Sequence, residues 1–476
     1  MARQPPHEPL IAIIGATGTG KSQLAVALAK RFNGEIINGD AMQLYAGLPI
    51  ITNKITTEEQ QGIPHHLLGC IGLHEPTWVV GTYVSKALNV IEEIRSRGRL
   101  PILVGGTHYY TQSLLFRDGL AGADGQGREP DDYSEGGREE FSILQQPTDI
   151  LLAELQKVDP AMAERWHPKD RRKIQRSLEM YLTTGRKASE TYAEQQRRRT
   201  SCNLASPSTE EGDDAGTTQR GLRTSTLILW VHAENDALRK RLDARVDTML
   251  KAGLLDEVRT LNDYADAESA HRHPMDEARG IWVSIGFKEF KEYVRALQEE
   301  VSSEKDLQKL KAEALERTKA ATRQYAKRQL RWIRIKLLNA LSACHNSTSL
   351  YLLDGSDVST FSVAVVDPAI GLADTFLTAA REMPEPCSIS PAAAAELSDN
   401  TDASANQPGA EWTKQHCEAC DVTCVIEAQW LQHVGSKAHK KRVSKRRQRE
   451  TMAAASAVAQ QGPAAEGGDS DVVDKG

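Results

Sequence analysis

The segment Gly15-Ala16-Thr17-Gly18-Thr19-Gly20-Lys21-Ser22 limits what this chain can fold into more than any other. It fits the pattern G-x-x-x-x-G-K-[ST], with an apolar run, Leu10–Ile14, before it and a helix-forming stretch, Gln23–Arg31, after it. A strand that enters a glycine-rich turn and leaves as a helix can aim successive backbone N–H groups at an anion. The helix N-terminus adds a partial positive charge. Lys21 brings a point charge, and Ser22 a hydroxyl that can help hold Mg²⁺. Residues 15–22 are therefore expected to bind a diphosphate group, which does not by itself select ATP.

Other strand-length runs follow. Glu35–Asn38 stops at Asp40, Leu100–Val104 stops at Gly105 and Gly106, and Thr226–Val231 is apolar throughout except for its leading threonine. Helix-type patterning separates them: Ile150, Leu151, Leu155 and Val158, then Ile174, Leu178, Tyr181 and Leu182, and long amphipathic stretches over 237–261 and 306–341. Strands alternating with helices predict a parallel α/β sheet. Asp40, at a strand end near the phosphate loop, is either a general base or a metal-assisting carboxylate. Where a P-loop hydrolase carries a metal-assisting Asp on an apolar strand, this chain has Gly105-Gly106-Thr107, a second place for backbone to approach phosphate or substrate.

The chain has 476 residues with 59 Lys+Arg against 65 Asp+Glu, a net charge of −6. That excludes a uniformly basic nucleic-acid binder but not a local basic patch. Two such patches stand out. Lys169, Arg171, Arg172, Lys173 and Arg176 fall in one short stretch, and 322–332 interleaves Arg323, Lys327, Arg328 and Arg331 with Tyr325 and Trp332. They are read equally as polynucleotide contacts and as solvated helix faces. No run reaches the length of a membrane span, and Met1–Leu10 lacks the layout of a secretory signal. A cytoplasmic chain with mitochondrial and nuclear pools is expected, acting as a monomer without membrane contact. Seven cysteines, an odd number, argue against a disulfide framework.

Three of those cysteines cluster near the C-terminus. Cys417-x2-Cys420-x12-His433-x5-His439 has the spacing of a Cys2His2 zinc finger, with Cys424 read as non-ligating and Trp430 and Leu431 as its small core. So short a module needs its metal to fold. Lys437, Lys440, Lys441, Arg442, Lys445, Arg446, Arg447 and Arg449 follow and suit a phosphate backbone or a nuclear localisation signal. The wide histidine spacing is similar to U1-type and matrin-type fingers. Composition places an insertion at 201–224, a linker at 383–411, the finger with its basic tail at 412–449 and a tail at 450–476.

Taken together, these residues resemble the tRNA dimethylallyltransferases, also called tRNA isopentenyltransferases. The resemblance rests on Gly15–Ser22, on Asn38-Gly39-Asp40-Ala41-Met42-Gln43-Leu44-Tyr45, on Pro64–Gly69 and on Gly105-Gly106-Thr107-His108-Tyr109-Tyr110. It continues through Arg172–Glu179, Arg245-Val246-Asp247, Gly280-Ile281, Gly286–Glu289 and Thr322–Arg331, covering about residues 9–340 plus the finger. The finger points to the eukaryotic branch. One departure is Ala41, where the family commonly has Ser.

The resemblance implies a P-loop NTPase-like parallel core over 9–340, a helical insertion domain at about 118–200, and a core extension at 341–382. It implies transfer of a dimethylallyl group from its diphosphate to N6 of adenosine 37, beside the anticodon of tRNA. Asp40 would then be the base, Thr19 would orient the leaving oxygen, and Lys21, Arg245 and Mg²⁺ would stabilise the diphosphate. Contacts to the tRNA anticodon stem-loop would come from Asp40, Ala41, Met42, Gln43, Thr107, Arg172, Lys173, Gln175, Arg176, Arg323, Lys327 and Arg328. Structural Zn²⁺ would sit on Cys417, Cys420, His433 and His439. Two other readings compete: a P-loop kinase acting on a small substrate, and a non-catalytic RNA-binding finger protein.

Overall fold

The computed structural model describes residues 4–117, 141–194, 197, 221–271, 279–298, 303–398, 414–425 and 427–460. They fall into two compact units, one of residues 1–134 and 194–402, the other of 135–193 and 403–476.

The first unit is built on a six-stranded sheet. Its strands are β1 (Leu10–Ile14), β2 (Gly34–Asn38), β3 (His65–His66), β4 (Leu100–Val104), β5 (Thr226–His232) and β6 (Leu350–Asp354), in the spatial order β3-β2-β4-β1-β5-β6. Every neighbouring pair is parallel. All five residues of β1 and all seven of β5 are buried, as a sheet covered on both faces requires. Their alternation splits the core in two. Leu10, Ala12, Ile14, Ile228 and Trp230 face one cluster, and Ile11, Ile13, Leu227 and Leu229 face the other. Helix α1 (Lys21–Arg31) covers the second face with Leu24, Ala25 and Leu28, while α2 (Val80–Ser96) and α3 (His108–Leu115) cover the first. Strand β1 lies between β4 and β5: the connection after β1 runs to one side and the one after β4 crosses to the other, and the crevice at the carboxyl ends there is where such sheets bind ligands.

Several expected elements are recast. The single helix expected over 237–261 is two, Asn235–Ala252 and Leu254–His271, because Gly253 takes φ +110°, a left-handed break. The helix expected over 306–341 runs as α4 (Glu304–Trp332), widens to a π-turn at Ile333–Leu337 and ends as Leu338–Ala343. The expected extension at 341–382 supplies edge strand β6 and the helix Asp367–Thr378.

Residues 383–398, which composition assigned to a linker, are folded. The helix Pro391–Ser398 packs beside β6, Ala393 is fully buried, and Arg334 forks onto Glu396 with two bonds of 2.7 Å. Small alanines, which look uninformative in a sequence, let this helix lie close to the core. The expected tail also begins later, since the last helix, Lys437–Gln460, runs past residue 450. The calls on 118–140, on 201–220 of the insertion, on 399–411 of the linker and on 461–476 lie outside the described residues. Among the described residues, no helix is long and apolar enough to cross a membrane.

The second unit holds the helices Thr148–Val158, Pro160–Arg165 and Arg171–Thr184 around Leu151, Leu155, Met162, Ile174 and Leu178. Buried Asp159 ties them by accepting from Met162 N at 3.3 Å and Ser189 N at 2.8 Å. The finger adds the antiparallel pair β7 (Gln415–Cys417) and β8 (Val422–Cys424), followed by the helices Glu427–Gly435 and Lys437–Gln460.

Candidate active site

The loop from Gly15 to Gly20 wraps at the carboxyl end of β1. Gly15 has φ +146°, and a Cβ there would lie 2.4 Å from the Val231 carbonyl oxygen, so only glycine lets the loop lean against β5. Lys21, the first residue of α1, curls back so that its Nζ donates to Ala16 O at 2.7 Å. Burial pushes its ammonium down to about 8; the Asp40 carboxylate opposes this and the Arg245 cation adds to it. Thr19 is buried and its hydroxyl also donates to Ala16 O, at 2.9 Å. Arg245, from the helix Asn235–Ala252, donates to the Thr17 hydroxyl at 2.8 Å. Ser22 is exposed one residue beyond Lys21.

Asp40 follows β2. Its Oδ1 accepts from Met42 N at 3.0 Å. Its backbone is held by Asn38, whose Oδ1 accepts from Asp40 N at 2.9 Å and whose Nδ2 donates to Asp40 O at 3.0 Å. Burial raises the Asp40 carboxyl above its usual range, and the Met42 N–H, the Lys21 charge and the Gln43 N–H oppose it. Its Oδ2 faces Gly106: a Cβ on Gly106 would come within 2.8 Å of it and within 2.7 Å of Gln329 Nε2. The glycine after β4 thus serves close approach of side chains to backbone.

The next residue joins the same assembly, since Thr107 Oγ1 accepts from Ala41 N at 3.0 Å. That bond uses the backbone N–H of Ala41, so the missing hydroxyl at this position does not disturb it. Gln43 is half-buried and donates to Asn53 O at 3.2 Å. His108 is buried with neither ring nitrogen partnered, and burial with the Lys21 charge lowers its pKa to about 3, so it is a neutral imidazole.

Two side chains that motif reasoning passed over complete the centre. Gln329, on α4 and 4% exposed, accepts from Thr17 N at 2.8 Å and donates to Gly106 O at 2.8 Å. Tyr325, one turn earlier and half-buried, brings its hydroxyl to the same turn, 3.9 Å from where a Cβ on Gly106 would lie, and burial raises its pKa. The available signal was the i, i+4 polar pair inside the basic stretch 322–332, where the cations drew attention instead.

The chain matches the IPP transferase family over residues 43–336. A tRNA dimethylallyltransferase of Schizosaccharomyces pombe is 42% identical across 70% of this chain and 69% of its own length. That of Saccharomyces cerevisiae is 34% identical across 90% of this chain and 91% of its own. The chain belongs to the IPP transferase family. A solved structure of a eukaryotic dimethylallyltransferase acting on tRNA is similar along 94% of this chain and 99% of its own, with a TM-score of 0.72 and 32% identity.

In this transferase the remaining candidate residues divide between the units. On α4, Arg323 pairs with Asp243, whereas Lys327 and Arg328 are exposed. In the second unit, Arg172, Lys173 and Arg176 are exposed on the helix Arg171–Thr184 and Gln175 is half-buried. Lys173 pairs with Asp170 at 2.9 Å and lies 5.1 Å from the Trp166 ring, and Arg176 pairs with Glu179 at 3.0 Å.

The finger brings Cys417, Cys420, His433 and His439 together, with their ligand atoms all within 4.8 Å of one another. His439 Nδ1 lies 3.5 Å from each sulfur and 3.2 Å from His433 Nε2. This is a Cys2His2 metal-binding group. Cys424 is buried and outside the set, as expected. Leu431 is not part of a finger core: it is 61% exposed, because it and half-buried Trp430 are adjacent on a helix and cannot share one face.

Proposed function

We propose that this chain transfers a dimethylallyl group from dimethylallyl diphosphate to N6 of adenosine 37 in tRNA. The observation that carries the reading is the convergence of two chemistries at the carboxyl end of the sheet. Diphosphate-binding groups, from the loop 15–22 with Lys21 and Arg245, stand beside a half-buried carboxylate, Asp40. An exocyclic adenine amine is a weak nucleophile, so a base that takes its proton as the C–N bond forms lowers the barrier. Asp40 is that base, and its raised pKa brings it closer to the working pH. The departing diphosphate gains negative charge, which the loop amides, Lys21 and Arg245 stabilise. Buried Thr19 orients the leaving oxygen once its hydroxyl turns from Ala16 O to the diphosphate. The exposed Ser22 hydroxyl is the hard oxygen donor that Mg²⁺ accepts, and the ion would screen charge on the diphosphate. The adenine must leave its stack to reach Asp40, and Gln43 reads its edge.

The four finger ligands would hold one Zn²⁺, which would supply the stability that the small module lacks. A tetrahedron with Zn–S of roughly 2.3 Å and Zn–N of roughly 2.0 Å has S···N edges near 3.5 Å and N···N edges near 3.3 Å. The three distances from His439 Nδ1, 3.5 Å to each sulfur and 3.2 Å to His433 Nε2, fit those edges, within a set that spans 4.8 Å. The exposed cations of α4, of the helix Arg171–Thr184 and of the helix Lys437–Gln460 contact the tRNA backbone.

Nucleoside mass analysis of tRNA incubated with the protein, Mg²⁺ and dimethylallyl diphosphate tests the reaction. N6-isopentenyladenosine is the expected product. ATP consumption on a small substrate, with unmodified tRNA, would replace the reading with a kinase.

A further inference from the structure

We infer that Gln329 is a positioning residue that fixes the donor loop at a set distance from the base, a role that rests on the transfer reaction proposed above. Its carboxamide is a two-headed clamp. Oε1 accepts from Thr17 N on the phosphate loop, 312 positions away, and Nε2 donates to Gly106 O, 223 positions away, both at 2.8 Å. Gly106 is the residue whose α-carbon faces Asp40 Oδ2, and Thr17 is the residue whose hydroxyl receives Arg245. One amide group therefore links the diphosphate side of the pocket to the wall that carries the base.

The residue type is set by the chemistry. The clamp needs one acceptor and one donor about a carboxamide's width apart, which Gln or Asn supplies and no charged side chain does. It must also reach from a helix, which favours Gln. Burial strengthens the requirement, because a lost partner would leave the Thr17 N–H or the Gly106 carbonyl unsatisfied out of water. Thr107, the residue after Gly106, accepts from Ala41 N next to the base, so the turn that the clamp holds is also tied to the base side. Small misplacement of reacting groups costs large factors in rate, so the clamp acts on turnover through loop geometry while touching no reacting atom.

The closing experiment uses a carboxyl as a pH-dependent mimic of the amide. In Gln329→Glu a protonated carboxyl can still accept from Thr17 N and donate to Gly106 O, whereas the ionised form cannot donate. Burial and the neighbouring Asp40 carboxylate favour the protonated form of that carboxyl, and the Lys21 and Arg245 cations on the loop side favour the ionised form, so the measured pH range is chosen to span both. Affinity for inorganic diphosphate and single-turnover transfer at saturating tRNA are measured from pH 5.5 to 8.5 for wild type, Gln329→Glu and Gln329→Leu.

For Gln329→Leu, diphosphate affinity and transfer rate should fall by about 10- to 100-fold at every pH. For Gln329→Glu both should stay near wild type at the acid end and fall toward the leucine variant as pH rises, with KM for tRNA unchanged within about twofold in both. Wild-type behaviour of Gln329→Leu, or losses in Gln329→Glu that do not change with pH, would overturn the clamp. Diphosphate binding reports on the clamp whatever the acceptor, so a failed transfer reading would show separately, as wild-type protein that binds diphosphate but leaves tRNA unmodified.

Discussion

The finger and the catalytic centre solve one problem, holding a few polar groups in a fixed arrangement, by opposite means. In the finger, the first and last ligands are 22 positions apart, and the groups meet through two short strands, the end of one helix and the start of the next. In the centre, Thr17 meets Gln329 across 312 positions and Arg245 across 228. Strands β1, β4 and β5 and helix α4 must all be in place before those contacts exist. Local closure costs little chain entropy but leaves too small a core, so metal must supply the stability. Long-range closure costs more, but the buried sheet provides the stability and holds the side chains rigidly.

If that contrast is right, the largest effect comes from the centre. Asp40→Asn keeps a group that can accept from Met42 N but removes the base, and it should lower kcat by about 10²- to 10⁴-fold with tRNA affinity near wild type. Single-turnover assays with tRNA in excess measure it. In the wild type the rate should fall as pH drops through the Asp40 pKa, at a pH above the ordinary carboxylate range, because the base must be ionised to accept the proton. An acid limb at the ordinary value would mean that Asp40 is not enclosed as described.

Removing the metal should divide the two regions. A chelator should unfold the finger, read as loss of protection of residues 414–460 from protease, and raise KM for tRNA by roughly tenfold through lost phosphate contacts. The kcat at saturating tRNA should stay within about twofold. A large fall in kcat would break the comparison, since the finger would then shape the chemistry.

A smaller effect sharpens the account of the loop. With Lys21 at about 8 in the free protein, diphosphate affinity should weaken as pH rises above that value, where the ammonium loses its proton, by at most about tenfold per pH unit. Lys21→Met should bind weakly throughout and lose this limb, as titration calorimetry would record.

The smallest contrast is between two leucines. Exposed Leu431→Ser should change stability by no more than about 0.5 kcal/mol. Buried Leu155→Ala, in the helical core of the same unit, should cost about 2–5 kcal/mol. Thermal unfolding of the full chain separates the two.

The phosphate loop, the strands that surround it and the metal ligands were legible along the chain. Each of these is a local pattern whose residues act through their own neighbours: Gly15 through its backbone angles, Lys21 through its place at a helix start, Cys417 and Cys420 through their spacing. The sequence also marked Asp40, because a carboxylate at a strand end beside such a loop is rare enough to notice. What stands opposite was settled by the packed fold. Gln329 and Tyr325 were hidden in a stretch whose charges suggested a surface, and they became part of the centre because one face of α4 is buried against the loop and the Gly106 turn. The alanine-rich helix Pro391–Ser398 was hidden in the same way, since burial of small side chains depends on a partner surface that the segment does not encode. Local propensity is written along the chain, but a hydrogen bond across 312 positions is selected only when the whole sheet brings its two ends together.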